Sequence, residues 1–198
     1  MFGPVTGTGR AGVVAAGLLL CTGCWGGSAD TPAPSTPAAP TGSPSASTSP
    51  APVAPTLPAA AKQPTPEGAV AFFRYFWDVY NYSYAALDTK ELRRISESSC
   101  KFCLDSANSI EGRKSEGGHY VGGAVSVTTA VASPENAQSG LIVNSVIDQD
   151  MSKVVGEGGV VLSSSPAEVG LRVDAAVRWD QSHWHMLGVE SLSTRGTP

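Results

Sequence analysis

Cys100 and Cys103 stand three positions apart, a spacing at which two thiols close a small disulfide ring or exchange electrons with another dithiol. Exchange needs a thiolate stabilised at a helix N-terminus, and Ser98 or Ser99 is placed to cap a helix that begins near Cys100. The strand that should precede a redox-active pair is missing, because the residues before Cys100 read as helix. A structural disulfide is therefore the leading reading, and a thiol-disulfide oxidoreductase using Cys100 and Cys103 is the alternative. Closing so small a loop is worth only about 2 kcal/mol by chain entropy, so the bridge fixes a local turn rather than the whole domain. A structural zinc site wants four ligands, and no second CxxC exists.

His183 and His185 point the same way if they lie on a strand, which is the spacing of a metal-binding pair, with His119 as a third ligand by type. No acid cluster near them completes a site, and we expect neither metal nor cofactor. Proton-transfer chemistry would need a carboxylate base facing a donor that stabilises an oxyanion. Asp78, Asp88 and Asp174 are bases by type, and Tyr82, Tyr84 and Tyr120 are donors by type. Asp88 is better explained as a helix cap, and Asp174 falls on the polar face of its strand. The chain has no GxSxG elbow, no Walker loop and no HExxH, so the expectation is a protein that is not an enzyme.

A fourth reactive position is Cys24. It follows Arg10, an apolar run from Ala11 to Leu20 and the small pair Thr22-Gly23, which together supply the parts of an export signal. The run is too short for a spanning helix, which takes about 20 apolar residues. The arrangement resembles the bacterial lipoprotein signal, in which a small residue precedes a cysteine that receives diacylglycerol on sulfur and becomes the new N-terminus; Cys21 stands where that signal usually has Leu. The resemblance implies a signal peptide over 1–23, a lipidated Cys24 and attachment to the extracytoplasmic face of the cell membrane. Multiple acyl chains anchor stably where one binds only marginally.

Residues 24–64 read as a linker. No charged residue lies between Asp30 and Lys62, and eleven of the fifteen prolines fall from Pro32 to Pro66. Such a segment buries too little apolar surface to offset its ordering entropy, and its prolines favour extended polyproline II. Residues 65–195 then form one domain with chain enough for its own core. Lys and Arg are scattered and net charge is −4, which excludes a nucleic-acid surface.

Within the domain, Thr65, Pro66 and Glu67 open a helix carrying Ala69, Phe72, Phe73, Phe76 and Tyr80 on one stripe, widened by Trp77 and Tyr84. Eight of fourteen aromatics fall between Phe72 and Tyr84, so this helix needs a broad apolar surface to cover it. Asp88 and Glu91 have the spacing of a capping box for a second helix, with Leu92 and Ile95 inward. A third runs from about Cys103 to Ser115, turns Leu104, Ala107 and Ile110 inward and stops at Gly117-Gly118. The periodicity then changes to alternation. One strand begins near His119 and carries Val125, Val127, Thr129 and Val131 on one face; Leu141 to Ile147 is another; Gly156 to Gly159 turns a hairpin; Leu171 to Trp179 and His183 to Leu192 close the set. The fold class is α+β, with N-terminal helices packed in the concave face of a curved antiparallel sheet of four to five strands.

This order resembles the cone-shaped fold of the nuclear transport factor and ketosteroid isomerase superfamily, and implies a pocket at one end of the sheet. Phe72, Phe76, Trp77, Tyr80, Trp179 and Trp184 are the candidate pocket residues. Residues of about 60 to 192, with Cys100-Lys101-Phe102-Cys103, the Gly117 to Gly123 block and the Trp179 to Trp184 hairpin, are similar to an uncharacterised domain family of actinobacterial lipoproteins. That likeness implies no catalytic residues. The functional expectation is a membrane-anchored extracytoplasmic lipoprotein acting as a non-enzymatic binding or accessory module, with a cell-envelope protein or a small apolar ligand as partner and an isomerase-like enzyme as a further alternative. Cys24→Ser should move the full chain from the detergent phase to the aqueous phase in phase-separation partitioning. Retention of Cys24→Ser in detergent would remove Cys24 as the anchor.

Overall fold

The computed structural model describes residues 51–133 and 140–192. The chain divides into two units, Met1–Ala46 and Ser47–Pro198. The first, with the signal-like segment and Cys24, lies outside the described residues.

Helix α1 spans Pro66–Ala86, starting where the sequence predicts. Thr65 Oγ1 accepts from the Gly68 amide at 3.1 Å, Pro66 spares an amide that would have no helical partner, and Leu87 ends the helix in the left-handed region. The packed body reaches further back than Thr65. Ala61 is buried in a 3-10 turn at Ala60–Lys62, Leu57 packs on the core, and Trp184 Nε1 donates to the Gln63 carbonyl at 3.1 Å. Position 68 must be glycine, because a Cβ there would stand 2.0 Å from the Gln63 oxygen. Residues 57–64 of the compositional linker are thus part of the domain's packing.

Helix α2 is short, Lys90–Arg94, and its start differs from the expected capping box. Asp88 Oδ1 does accept from the Lys90 amide at 3.1 Å, but Glu91 turns away from the backbone. Its carboxylate accepts from Tyr75 Oη at 2.6 Å and pairs with Arg94 at 2.5 Å, because α1 offers a phenol within reach. Burial and this bond to Glu91 push the Tyr75 pKa up to about 12. Helix α3 spans Lys101–Ser115, and Cys100, rather than Ser98 or Ser99, is its N-cap. Arg93 holds both carboxylate oxygens of Glu111 at 2.8 Å and ties α2 to α3.

Among the described residues seven strands follow and make two antiparallel sheets, one of four strands, within the four to five expected, and a second of three that was not expected. One has the order β1-β4-β5, from His119–Gly122, Ser152–Val155 and Val161–Ser165; the other is β2-β3-β6-β7, from Val125–Ala132, Leu141–Gln149, Glu168–Asp180 and His183–Ser191. The strand expected to run from His119 through Val131 is split at Gly122 and Gly123, both at positive φ. A Cβ on Gly122 would meet the Met151 carbonyl oxygen at 2.2 Å, so the chain can cross between sheets only with glycine there. A bulge between Val127 and Thr129 then reverses the facing of β2. Thr129 and Val131 consequently face outward, with Val131 67% exposed, while Ala130 and Ala132 pack on the core. The alternation of β6 holds as read: Val173, Ala175 and Val177 are all buried.

The fold is α+β, with helices packed on antiparallel sheets. Helix α1 lies on the inner face of the four-stranded sheet and touches all four of its strands, with α2 and α3 against its other side. Phe72, Phe73 and Phe76 meet Leu141, Val143, Val177, Trp184 and Met186 at one end of that face, all fully or nearly fully buried. Phe76→Ala should lower unfolding free energy by about 3–5 kcal/mol in urea titration. Val131→Ala should stay within about 0.5 kcal/mol of the parent.

Candidate functional site

The other end of the same inner face is not filled. Between α1, α3 and the sheet lies a cavity of about 230 Å³, walled by Trp77, Tyr80 and Phe102 above and by Val125, Ile147, Leu171, Val173 and Val189 below. Strand register explains the lower wall. Ile147 pairs with Leu171, Val173 with Ser191 and Ala175 with Val189, so the inward positions of three neighbouring strands line up under the helix. Gln149, Glu168 and Ser191 stand at the strand ends, where Glu168 and Ser191 are exposed and form a polar mouth.

The upper wall is aromatic and tightly held. Trp77 meets Phe73, Phe76, Tyr80 and Phe102 in edge-to-face contacts, with centroids 5.1 to 6.2 Å apart. Phe102 also stacks on Tyr80 at 5.7 Å. Burial, with Tyr84 beside it, raises the Tyr80 phenol far above its ordinary pKa and keeps it neutral. Trp77 is 3% exposed, and its indole N–H has no acceptor among the described residues. Buried donors are nearly always satisfied, and one left alone costs about 1–3 kcal/mol.

The cavity takes in two of the six pocket residues expected from the sequence. Trp77 and Tyr80 line it; Phe72, Phe76 and Trp184 fill the closed end instead, and Trp179 is half-buried against Trp184 at 5.4 Å. Phe102 is a wall that the sequence reading misses, although an aromatic between two cysteines is visible there. The disulfide explains its position. Cys100 and Cys103 are bonded and fully or nearly fully buried, the Cys100 sulfur accepts from the Cys103 amide at 3.3 Å, and this fixed first turn of α3 carries Phe102.

The remaining candidates lie elsewhere. Asp78, Asp88 and Asp174 do not line the cavity. Asp174 accepts from Asn144 at 2.8 Å, and Asp78, its pKa raised by burial against the pull of Arg74, borders a separate groove with Tyr82, Tyr84 and Tyr120. Tyr120, its pKa raised by burial, donates to the Ser109 carbonyl at 3.1 Å. His183 and His185 sit side by side on β7 with rings 4.5 Å apart, while His119 belongs to the other sheet. Burial and the neighbouring His183 lower the His185 pKa although Glu97 lies 3.8 Å away. Among the described residues no group of three His, Cys, Asp or Glu side chains is placed to hold a metal ion, and no helix is long and apolar enough to cross a membrane. Asn81, which begins a glycosylation-type triplet, braces α1 against β2, since its side-chain amide both donates to and accepts from the Val125 backbone at 2.8 Å.

Residues 40–190 match the Family of unknown function (DUF6318). The chain belongs to that family. The match covers the disulfide, the groove and every cavity residue except Ser191. No curated protein matches the chain. Among solved structures, the "Crystal structure of intermembrane space region of chloroplast protein ARC6" is similar over 65% of this chain and 96% of that one, at 10% identity and a TM-score of 0.47. That likeness is too distant to carry any role across.

Burial of both sulfurs predicts a bridge that solution thiols do not reach. With a mild reductant in native buffer, mass mapping should find Cys100 and Cys103 unalkylated, and denaturant should expose them. Rapid native reduction would favour thiol exchange. Replacing both by Ser should cost more than the roughly 2 kcal/mol of loop entropy, because two hydroxyls then occupy buried positions.

Proposed function

We propose that this protein is a lipid-anchored extracytoplasmic binding module that acts without catalysis, its Cys24 holding it to the membrane and its inner-face cavity taking a small apolar ligand. The anchoring half rests on sequence: the apolar run to Leu20, the small pair before Cys24 and the Pro/Ala/Ser/Thr-rich segment after it. A nuclear-transport-factor-like cone is the fold we assign to the domain, supported by a long aromatic helix lying across four antiparallel strands.

The observation that carries the binding half is the apolar cavity itself, walled by Trp77, Tyr80 and Phe102 on one side and by Val125, Ile147, Leu171, Val173 and Val189 on the other. A small apolar ligand there takes its own surface and the cavity wall out of water at once. An apolar cavity of about 150 Å³ takes benzene, so about 230 Å³ suits a ligand of roughly ten non-hydrogen atoms, smaller than a drug-sized molecule. The polar mouth at Gln149, Glu168 and Ser191 leaves room for one hydrophilic end.

Thermal-shift screening of the full chain with small aromatic ketones, esters and amides tests this, because a ligand that binds only the folded state raises the midpoint with its concentration. A saturable rise is expected for compounds with one acceptor on an apolar frame. Val189→Phe, which fills the space, should abolish that rise. A library without any hit, or hits indifferent to Val189→Phe, would overturn the reading.

A further inference from the structure

The second groove lies outside the cavity, at the far end of α1. It encloses about 500 Å³ and is walled by Tyr82 and Tyr84 from α1, Tyr120 from β1, and Gly122-Gly123, which add no side chain to it. Its last wall is the chain's own Pro52, Val53 and Pro55.

Pro52, Pro55 and Pro58 recur every third residue, which is the repeat of a polyproline II helix, so they fall on one face of it. Each proline fixes its own φ, and Ala51, Ala54 and Leu57 before them are pushed toward the same extended region. Nearly the whole segment is therefore set in one conformation before it meets anything, and residues 51–58 indeed contain neither helix nor strand. Recognition of such segments elsewhere uses aromatic-lined grooves, since flat rings pack on the proline face at little entropic cost. Tyr84 and Tyr120 supply that surface, in edge contact at 4.7 Å, and the bond from Tyr120 to Ser109 holds its ring. Tyr82 adds a hydroxyl with no hydrogen-bond partner among the described residues, suited to a carbonyl of an extended backbone.

We propose that this tyrosine groove is a recognition site for extended Pro-x-x-Pro segments, covered along one side in cis by Pro52-Val53-Ala54-Pro55. The cis segment sits lightly. Pro52 is exposed, Val53 is 87% exposed, Pro55 is half-buried, and the first backbone hydrogen bonds of the region start only at the Pro58 carbonyl. Leu57 and the turn after it hold the segment's end on the body and keep the prolines at the groove at high effective concentration. A proline-rich segment of another protein in trans must displace it.

The test uses the full chain and, as probe, a fluorescent nonapeptide with the sequence of residues 50–58. In anisotropy titrations, Pro52→Ala/Pro55→Ala, whose positions lie outside the buried core, should bind the nonapeptide at least about tenfold more tightly than wild type, because the cis competitor is weakened. Adding Tyr82→Ala to that variant should lose at least about tenfold, and Tyr82→Phe, which keeps the ring, reports the same site if Tyr82→Ala fails to fold. A nonapeptide with Ala at both proline positions should not bind. The proposal is overturned if the double variant does not bind the nonapeptide, or binds it regardless of the peptide's prolines or of Tyr82.

Discussion

Helix α1 carries more apolar surface than one face of a sheet can cover. Its buried positions, from Ala69 through Phe72, Phe73, Tyr75, Phe76, Trp77 and Val79, wrap well beyond a single stripe, and every other element answers that load. The four-stranded sheet takes one side, α2 and α3 take another, and the chain from Leu57 to Gln63 lies across the start. Where side chains are large enough to meet, the space is closed, as around Phe72 and Trp184. Where β-branched strand residues face Trp77 and Tyr80, it stays open. The cavity follows from this uneven filling.

Features written in local chemistry were legible. Thr65 and Pro66 announce a helix start because cap and first-turn preferences depend only on neighbouring residues. The alternation of β6 survives because its inner face stays on the core from Leu171 to Trp179. What depends on distant partners was not. Glu91 has the spacing of a capping box, yet a phenol from α1 and the guanidinium of Arg94 draw it away from the backbone amide. The β2 bulge turns Val131 outward, and periodicity carries no mark of an extra residue opposite β3. The glycine pair at 122–123 was visible, but its meaning as a crossing between two sheets depends on Met151 lying beside it.

The site divides along the same line. Trp77 and Tyr80 were legible because an aromatic at helical spacing either fills a core or walls a cavity. Which of the two occurs is decided by the residues opposite, and these come from four strands whose register the sequence does not show. Phe72, Phe76 and Trp184 belong to the same aromatic set and met the opposite fate. Asn81 escaped notice as a brace because its partner, the Val125 backbone, is far along the chain.

A continuous row of rings, Phe102, Tyr80, Tyr84 and Tyr120, runs from the cavity to the tyrosine groove, with neighbours no more than 5.7 Å apart. Each end of the row is tied to α3: Phe102 by the disulfide-fixed first turn, Tyr120 by its bond to the Ser109 carbonyl. The helix that bears the disulfide therefore braces one wall of the cavity and one wall of the groove. A close-packed row has little freedom to adjust ring by ring, so both walls are set before anything binds. This gives the Cys100–Cys103 bridge a purpose that its small loop entropy does not, because holding one turn in place aligns two surfaces along the C-terminal half of α1.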